Sequence, residues 1–555
     1  MTTLYFLWLF LIPLFQILSG YHIFLVSSQC LDDQKSLLLQ LKGSLRYDST
    51  LSNKLAKWNQ KTSESCNWDG VTCDLSGHVI ALELDDETIS SGIENASALF
   101  SLQYLERLNL AYNRFSVGIP VGIGNLTNLK YLNLSNAGFV GQIPMMLSRL
   151  TKLVTLDLSP LFPYSNQRLK LENPNLRHFI ENSTELRELY LDGVDLSSLR
   201  TEWCPIDESL SKLQILSIIR LDQNNLSTTV PGYFANFTNL TTLSLDSCNL
   251  QGAFPKKIFQ VQFLEILDLS NNKLLSGSIP SFPRNGSLRM ISLSNTNFSG
   301  SLPESISNLQ SLSSGTVPLD LIGRLSNLTR LELSYNNLTV DASSINSTSF
   351  IFPQLRLLKL ASCRLQKFPD LKRRIPESIC NASYLQVLDF SNNALSGTIP
   401  PCLLENSTNL GVLNLGNNKL NGVIPDSFPI GCALQTLDLS ENKLQGRLPK
   451  SLVNCELLEV LNVGNNKLVD RFPCMLRNSN SLRVLFLRSN QFNGSVQCDA
   501  TRNNWKNLQI IDIASNNFTG VLNAEFFSNW KGMMVADDNV ETGRNHIQYK
   551  FLQLS

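Results

Sequence analysis

One string returns along this chain at a spacing of 24 residues, and that period leaves few folds open. Leu434-Gln-Thr-Leu437-Asp-Leu439-Ser-Glu-Asn442-Lys-Leu444-Gln-Gly446-Arg-Leu448-Pro449 reads L-x-x-L-x-L-x-x-N-x-L-x-G-x-I/L-P. The second leucine of each L-x-L marks the phase: Leu110, Leu134 and Leu158; Leu221, Leu245, Leu269 and Leu293; Leu415, Leu439, Val463 and Leu487. Leu84, Leu191, Leu333, Leu360, Phe390 and Ile513 bring the total to about 17 coils. The apolar set of one coil cannot offset the entropy of ordering its backbone. Stacking can, because neighbours pair their L-x-L segments and bury the leucines between turns, making stability a sum over nearest-neighbour interfaces.

The string is a leucine-rich repeat. It implies an α/β repeat, a right-handed leucine-rich-repeat solenoid with a concave parallel β-sheet, over residues 75–530. Asn113, Asn224, Asn272, Asn336, Asn393, Asn418, Asn442, Asn466, Asn490 and Asn516 share one phase, and each short amide offers donors and an acceptor to the backbone of adjacent turns. Cys248, Cys363 and Thr296 stand at that phase as small substitutes, so these cysteines read as structural. Residues 29–74 break the period and form an N-terminal helical cap. Leu37, Leu38, Leu41 and Leu45 follow a helical pattern with Asp32 and Asp33 at its start, and Cys66-Asn-Trp68-Asp-Gly70-Val-Thr-Cys73 follows. Cys432 and Cys455 lie at nearly one phase in adjacent coils, where a strand spacing of ~5 Å allows a bridge.

The period also fails inside the array. Leu158 to Leu191 spans 33 residues, and its extra stretch Ser159 to Leu171, with Pro160 and Pro163, is expected to loop out. Intervals of 30 residues (Leu191 to Leu221), 40 (Leu293 to Leu333) and 30 (Leu360 to Phe390) differ. There a coil's tail stands without its strand, as at Cys204-Pro205, Ser314 to Pro318 and Arg374-Ile375-Pro376, which suggests internal deletions joining halves of different repeats.

Residues 1–28 read as a signal peptide: Leu4 to Leu18 is almost wholly apolar and Val26-Ser27-Ser28 suits a signal peptidase, with cleavage expected near Gln29. Since no Lys or Arg precedes the apolar run, an uncleaved anchor is the alternative. No later run approaches the ~18 apolar residues that cross a bilayer. Sixteen N-x-[ST] sequons point to the secretory pathway. Glycans are expected on Asn95, Asn125, Asn182, Asn239, Asn327, Asn381 and Asn406, three of which (Asn125, Asn239, Asn327) open N-L-T strings assigned to the convex side. Asn133, between strand leucines, reads equally as a glycan site or as a chance sequon.

Balanced charge, 46 basic against 46 acidic residues, provides no field for nucleic acid, and no nucleic-acid partner is expected. His78, His178 and His546 stand far apart with no nucleophile or metal-ligand spacing around them. There is no phosphate-binding G-x-x-x-x-G-K-[ST] loop, kinase motif set or C-x-x-C pair. The chain is therefore expected to be no enzyme and to need no cofactor or metal.

Surface recognition remains. In L-x-x-L-x-L-x-x-N the third, fifth, seventh and eighth residues are expected to point outward. The least bland of these are Arg107, Tyr112, Tyr131, Glu188, Tyr190, Asp192, Arg220, Asp222, Arg330, Glu332, Tyr335, Lys359, Phe486 and Arg488, the candidate ligand contacts of the concave face. Tyr and Arg are the side chains that most often anchor interfaces.

The 24-residue G-x-I-P repeat with its W-D-G-V-T-C cap resembles plant extracellular leucine-rich-repeat receptor-like proteins and receptor kinases, over about residues 30–520. In that resemblance Cys66 and Cys73 form a disulfide, and Ser65 replaces a cysteine that many relatives carry, leaving Cys30 without its usual partner. Leu171-Glu-Asn-Pro-Asn-Leu-Arg-His-Phe-Ile180, Glu181-Asn-Ser-Thr-Glu-Leu-Arg-Glu-Leu-Tyr190 and Leu221-Asp-Gln-Asn-Asn-Leu-Ser-Thr-Thr-Val230 are similar to the verticillium wilt disease-resistance (Ve) type. Such relatives imply recognition of a pathogen-derived protein or peptide in plant defence against fungi, at the plasma membrane, with membrane receptor kinases as co-receptors. The sequence departs from them in having fewer coils, no island, and no membrane helix or cytoplasmic tail after the repeats, which implies an apoplastic chain and a truncated receptor. The alternatives are a soluble inhibitor or decoy similar to the polygalacturonase-inhibiting proteins, and a non-functional truncated receptor.

Residues 531–555 read as an irregular, truncated end that leaves the last coil uncovered. Limited proteolysis followed by mass mapping should therefore cut first after residue 520; uniform resistance along the chain would contradict it.

Overall fold

A first repeat left bare would show solvent an apolar end and an unpaired strand edge, and the residues before it are built to prevent that. The computed structural model describes residues 30–59, 65–160, 168–172, 176–196, 213, 215–283, 286–301, 328–339, 354–363, 374–375, 377–496, 498 and 505–521. The chain divides into two units, Met1–Leu186 and Arg187–Ser555. The leader, the end segment and Asn327 lie outside the described residues.

In the first unit helix α1 (Asp32–Ser44) buries Leu38 and Leu41, and Asp32 and Asp33 occupy its first turn, where the helix dipole favours negative charge. Strand β1 (Val71–Cys73) lies antiparallel on β2 (Val79–Glu83) and covers its free edge. From β2 the ladder runs parallel through Arg107–Asn109, Tyr131–Asn133 and Thr155–Asp157. Trp58 stacks on Trp68 with ring centroids 5.3 Å apart. Where later coils carry the ladder Asn, this coil carries Glu87, only 1% exposed. Its carboxylate accepts the backbone N–H groups of Asn53, Lys54 and Leu55 at 3.1, 3.0 and 2.9 Å and the Ser52 hydroxyl, tying cap to array.

In the second unit parallel strands follow one another in register from Glu188–Tyr190 to Ile510–Asp512, leucine opposite leucine as in Leu243↔Leu267 and Leu461↔Leu485. The irregular intervals do not interrupt it. Glu188–Tyr190 pairs with Ile218–Arg220, Met290–Ser292 with Arg330–Glu332, and Leu357–Lys359 with Val387–Asp389. The half-repeats suspected at these junctions therefore leave no gap in the strand ladder. Extra chain is carried between neighbouring strands, mostly outside the described residues.

The Asn row does what its chemistry allows. Asn272, 0% exposed, donates from Nδ2 to the carbonyls of Leu245, Leu269 and Ser270 at 2.8, 2.9 and 2.9 Å. Its Oδ1 accepts from the N–H groups of Cys248 and Leu250 at 3.0 and 2.9 Å. Asn113, Asn224, Asn418, Asn466, Asn490 and Asn516 donate in the same way across coils. Cys248 and Cys363 take the role with thiol donors, Sγ to the Leu221 and Leu333 carbonyls at 3.0 and 2.9 Å. Burial pushes the Cys363 thiol up to about 12 and Cys248 well above its ordinary value, so both keep the proton they donate.

Two features were not anticipated. First, the x-L-x-G segments that lead into the G-x-I/L-P tails are themselves strands. Gln251–Ala253, Leu274–Gly277, Asn297–Ser301 and Asn337–Thr339 form a second parallel ladder, as do Ser396–Gly397, Lys419–Val423, Lys443–Gly446 and Lys467–Leu468. In the first unit Leu169–Lys170 pairs with Gly141–Gln142, with Leu169 and Leu171 buried. The end of the stretch expected to loop out is thus strand, because its leucines repeat the apolar phase of the tail. Second, Cys380–Cys402 and Cys474–Cys498 are disulfides, beside the anticipated Cys66–Cys73 and Cys432–Cys455. Separations of 22, 23 and 24 residues put each of the later three bonds between successive coils.

Asn272→Ala removes one side chain that satisfies five backbone groups, and a buried backbone group without a partner costs roughly 1–3 kcal/mol. Urea unfolding should show a loss of roughly 3 kcal/mol or more, against a near-zero change for Asn271→Ser, which lies on the surface of the same coil.

Candidate functional site

The outer face of each strand ladder is set by which repeat positions the stacking leaves uncovered. Third- and fifth-position side chains lie across the strands, and the seventh and eighth lie at the turn that follows. The eighth residue takes a left-handed backbone in coil after coil: Tyr112, Asn136, Gln223, Ser247, Asn271, Asn295, Tyr335, Ser362, Asn392, Asn417, Glu441, Asn465, Ser489 and Ser515 have φ between 51° and 59°. Asn and Gly are at ease there. Tyr is not, yet Tyr112 and Tyr335 hold it as residues 59% and 55% exposed.

The fourteen candidate contacts do not gather into one site. In the first unit Arg107 lies over the Tyr131 ring, 3.8 Å from its centroid, and its Nε is 3.2 Å from Glu83 Oε1. Asn133 Nδ2 donates to the Tyr131 hydroxyl at 3.2 Å, and its Oδ1 accepts the Ser135 N–H at 2.9 Å. That half-buried amide is already part of the face.

In the second unit Glu188, Tyr190 and Asp192 stand half-buried on adjoining rows beside Arg220 and Asp222. Arg220 Nη2 lies 3.0 Å from Asp192 Oδ2 and 3.4 Å from Asp222 Oδ2. Arg330 Nε and Lys359 Nζ hold the two oxygens of Glu332 at 2.7 and 3.3 Å, with Tyr335 alongside. Phe486 is half-buried, and Arg488 reaches Asp512 at 3.2 Å.

Two of the fourteen are not surface residues. Asp222 and Glu332 are 8% and 9% exposed, because neighbouring coils stand only one strand apart and their side chains cover the shorter acids. They position other groups. Asp222 receives the Ser244 hydroxyl at 2.9 Å and the Asp246 N–H at 2.8 Å. Burial, reinforced by the Asp192 charge, pushes its carboxyl up to about 7.

Residues passed over as bland polar ones complete these clusters: Glu83, Asp246, Asp389 and Asp512, with Asn271 and Asn295. Glu83, Asp246 and Asp512 each stand 24 residues from a singled-out residue, and that spacing is the signal that could have found them; Asp389, 30 residues from Lys359, and Asn295, 40 from Tyr335, lie across irregular intervals where it fails. Among the described residues the grouping of His, Cys, Asp and Glu side chains with metal-holding geometry is Cys30, Cys66 and Cys73, two of them joined in a disulfide. Of the sequons expected to carry glycans, Asn95, Asn125, Asn182, Asn239, Asn381 and Asn406 are exposed.

The chain matches the model of the leucine rich repeat N-terminal domain at residues 31–74 and that of the Leucine Rich Repeat at 104–126, 128–150, 263–285, 287–309, 384–406, 409–429 and 433–455. It is 32% identical over 249 residues to Receptor-like protein 6 of Arabidopsis thaliana and 32% identical over 251 residues to Receptor-like protein Cf-9 of Solanum pimpinellifolium. Each alignment takes 42% of this chain and 24% of the relative, so the chain spans about a quarter of the length of these relatives. Among solved structures it is similar to the plant peptide hormone receptor RGFR1 in complex with RGF2, with TM-score 0.51 and 25% identity over 82% of this chain and 76% of that one. It also shares its fold with the Arabidopsis receptor kinase HAESA, solved with the peptide hormone IDA and the co-receptor SERK1, with TM-score 0.59 and 23% identity over 90% and 88%. The fold is a leucine-rich-repeat solenoid.

Since the folded-state pKa of Asp222 lies above its unfolded value, the protonated acid is the form the fold prefers. Its stabilisation is complete below pH ~4 and is lost as pH rises through about 7. Asp268, its carboxyl also pushed up to about 7 by burial, adds to the same fall. Asp222→Asn should therefore reduce the fall in thermal stability between those limits without abolishing it, and a slope unchanged in the variant would place the titration elsewhere.

Proposed function

We propose that this leucine-rich-repeat chain, homologous over part of its length to plant receptor-like proteins, is the ligand-recognition part of an extracellular defence receptor of the Ve type. A pathogen-derived protein or peptide is its ligand, bound on the strand-lined face. The observation that carries the reading is the placement of Tyr112 and Tyr335. Each puts a largely exposed ring on a backbone conformation that costs a bulky residue on the order of 1 kcal/mol or more. Packing does not require either ring, so the strain is borne for something outside the fold. Arg107, stacked on Tyr131 beside Tyr112's coil, supplies the Arg–Tyr chemistry in which interface hot spots are rich.

Further support comes from the surroundings. Four disulfides suit an oxidising compartment, and exposed sequons suit the secretory route to the plasma membrane or apoplast. The peptide and co-receptor in the HAESA complex support membrane receptor kinases as partners.

The purified secreted chain should bind a component of fungal culture filtrate in biolayer interferometry. Arg107→Ala combined with Tyr112→Asn should weaken that binding by about tenfold or more while thermal unfolding is unchanged, Asn being at ease in the left-handed region. Equal binding by parent and variant would remove this face from the ligand site.

A further inference from the structure

A pocket of about 450 Å³ opens on the strand-lined face of the second unit, across the coils of Leu269, Leu293, Leu333, Leu360 and Phe390. Its size is that of a small-molecule site. Tyr335 forms one wall. The other groups are polar, and they mix donors with acceptors. Ser294 Oγ is buried there without a hydrogen-bond partner. Ser334 Oγ accepts the Ala361 N–H at 3.0 Å, which leaves its own proton to give. Asn271 Nδ2 donates to Asp246 Oδ1 at 2.8 Å and Asn295 Nδ2 to Asn271 Oδ1 at 3.0 Å, a relay that fixes the orientation of both amides. Asp389 spends Oδ1 on the Ser391 N–H at 3.0 Å.

Lys359 and Glu332 in the lining are held to each other, Arg330 grips Glu332 from beside the pocket, and Asp389 is the second acid of the lining. The lining's one cation is already engaged and an anion would meet two carboxylates, while an apolar group would cover Asp389 and the Ser334 hydroxyl without giving either a partner. A neutral sugar matches instead: its hydroxyls both donate and accept, and one face of the ring presents C–H groups that can lie on an exposed aromatic. We propose that this pocket binds one or two rings of a neutral oligosaccharide, stacked on Tyr335 and hydrogen-bonded by Ser334, Asn295 and Asp389. The site rests on the reading of this face as a recognition surface but is a different ligand chemistry from the protein or peptide proposed above.

Cellohexaose and N-acetylchitohexaose are the probes, titrated calorimetrically into the purified full chain, with a hexamer of galacturonic acid and triglycine as charged comparators. One of the neutral hexamers should bind, Tyr335→Phe should retain the binding, and Tyr335→Asn should weaken it by about tenfold or more. Asn is the residue that other coils hold at this left-handed position, so the variant removes the ring without straining the turn. No heat from either neutral hexamer at millimolar concentration overturns the proposal, as does equal binding by Tyr335→Asn or preference for a charged comparator. A filtrate component that binds the parent chain when no neutral hexamer does would sink the pocket alone. Sugar binding without any filtrate ligand would instead sink the protein-ligand reading.

Discussion

Everything in this structure depends on buried backbone at the turn after each strand finding partners in the neighbouring coil. A strand of three residues is too short to satisfy its own surroundings, and the chain must turn immediately after it. Asn resolves the turn because one short amide can reach a carbonyl in the previous coil, two in its own, and two N–H groups in another direction, as Asn272 does. The same stitch makes each coil's stability a property of its neighbours. That is why Glu87, at the start of the array, has a different task and spends its carboxylate on the cap.

The stitch also creates the surface. Holding the ninth residue inward turns the eighth outward on a left-handed backbone, so the position is a display site with a conformational toll. Most coils fill it with small or polar residues. Tyr112 and Tyr335 are exceptions, and the Tyr335 coil adds a polar pocket beside its ring. Close stacking decides what else is displayed, since rows one strand apart shield one another. Asp222 and Glu332 are drawn under by that shielding and act on Arg220, Arg330 and Lys359 rather than on solvent.

Legibility in the sequence followed the range of the interaction concerned. The Asn row, its Cys and Thr substitutes, α1 and the Cys432–Cys455 bond were readable because each depends on phase within one repeat or between adjacent ones. The second ladder escaped because Gln251-Gly-Ala and its equivalents carry too few apolar residues to announce strands; their pairing comes from being stacked, with all three residues of Gln251–Ala253 exposed. Cys380–Cys402 escaped because it adjoins an interval where the period breaks, whereas Cys474–Cys498 stands one full repeat apart and was readable by the same phase as Cys432–Cys455.

By itself the sequence determined the repeat, its inward set and the residues that stitch turn to turn, because those depend on periodicity that a chain carries locally. Tertiary structure alone decided which outward positions reach solvent, which acids are submerged, that the ladder of the second unit runs on across its irregular intervals, and that groups from five coils meet in one pocket. Those outcomes turn on distances between side chains tens of residues apart, and such distances exist only once the coils are stacked.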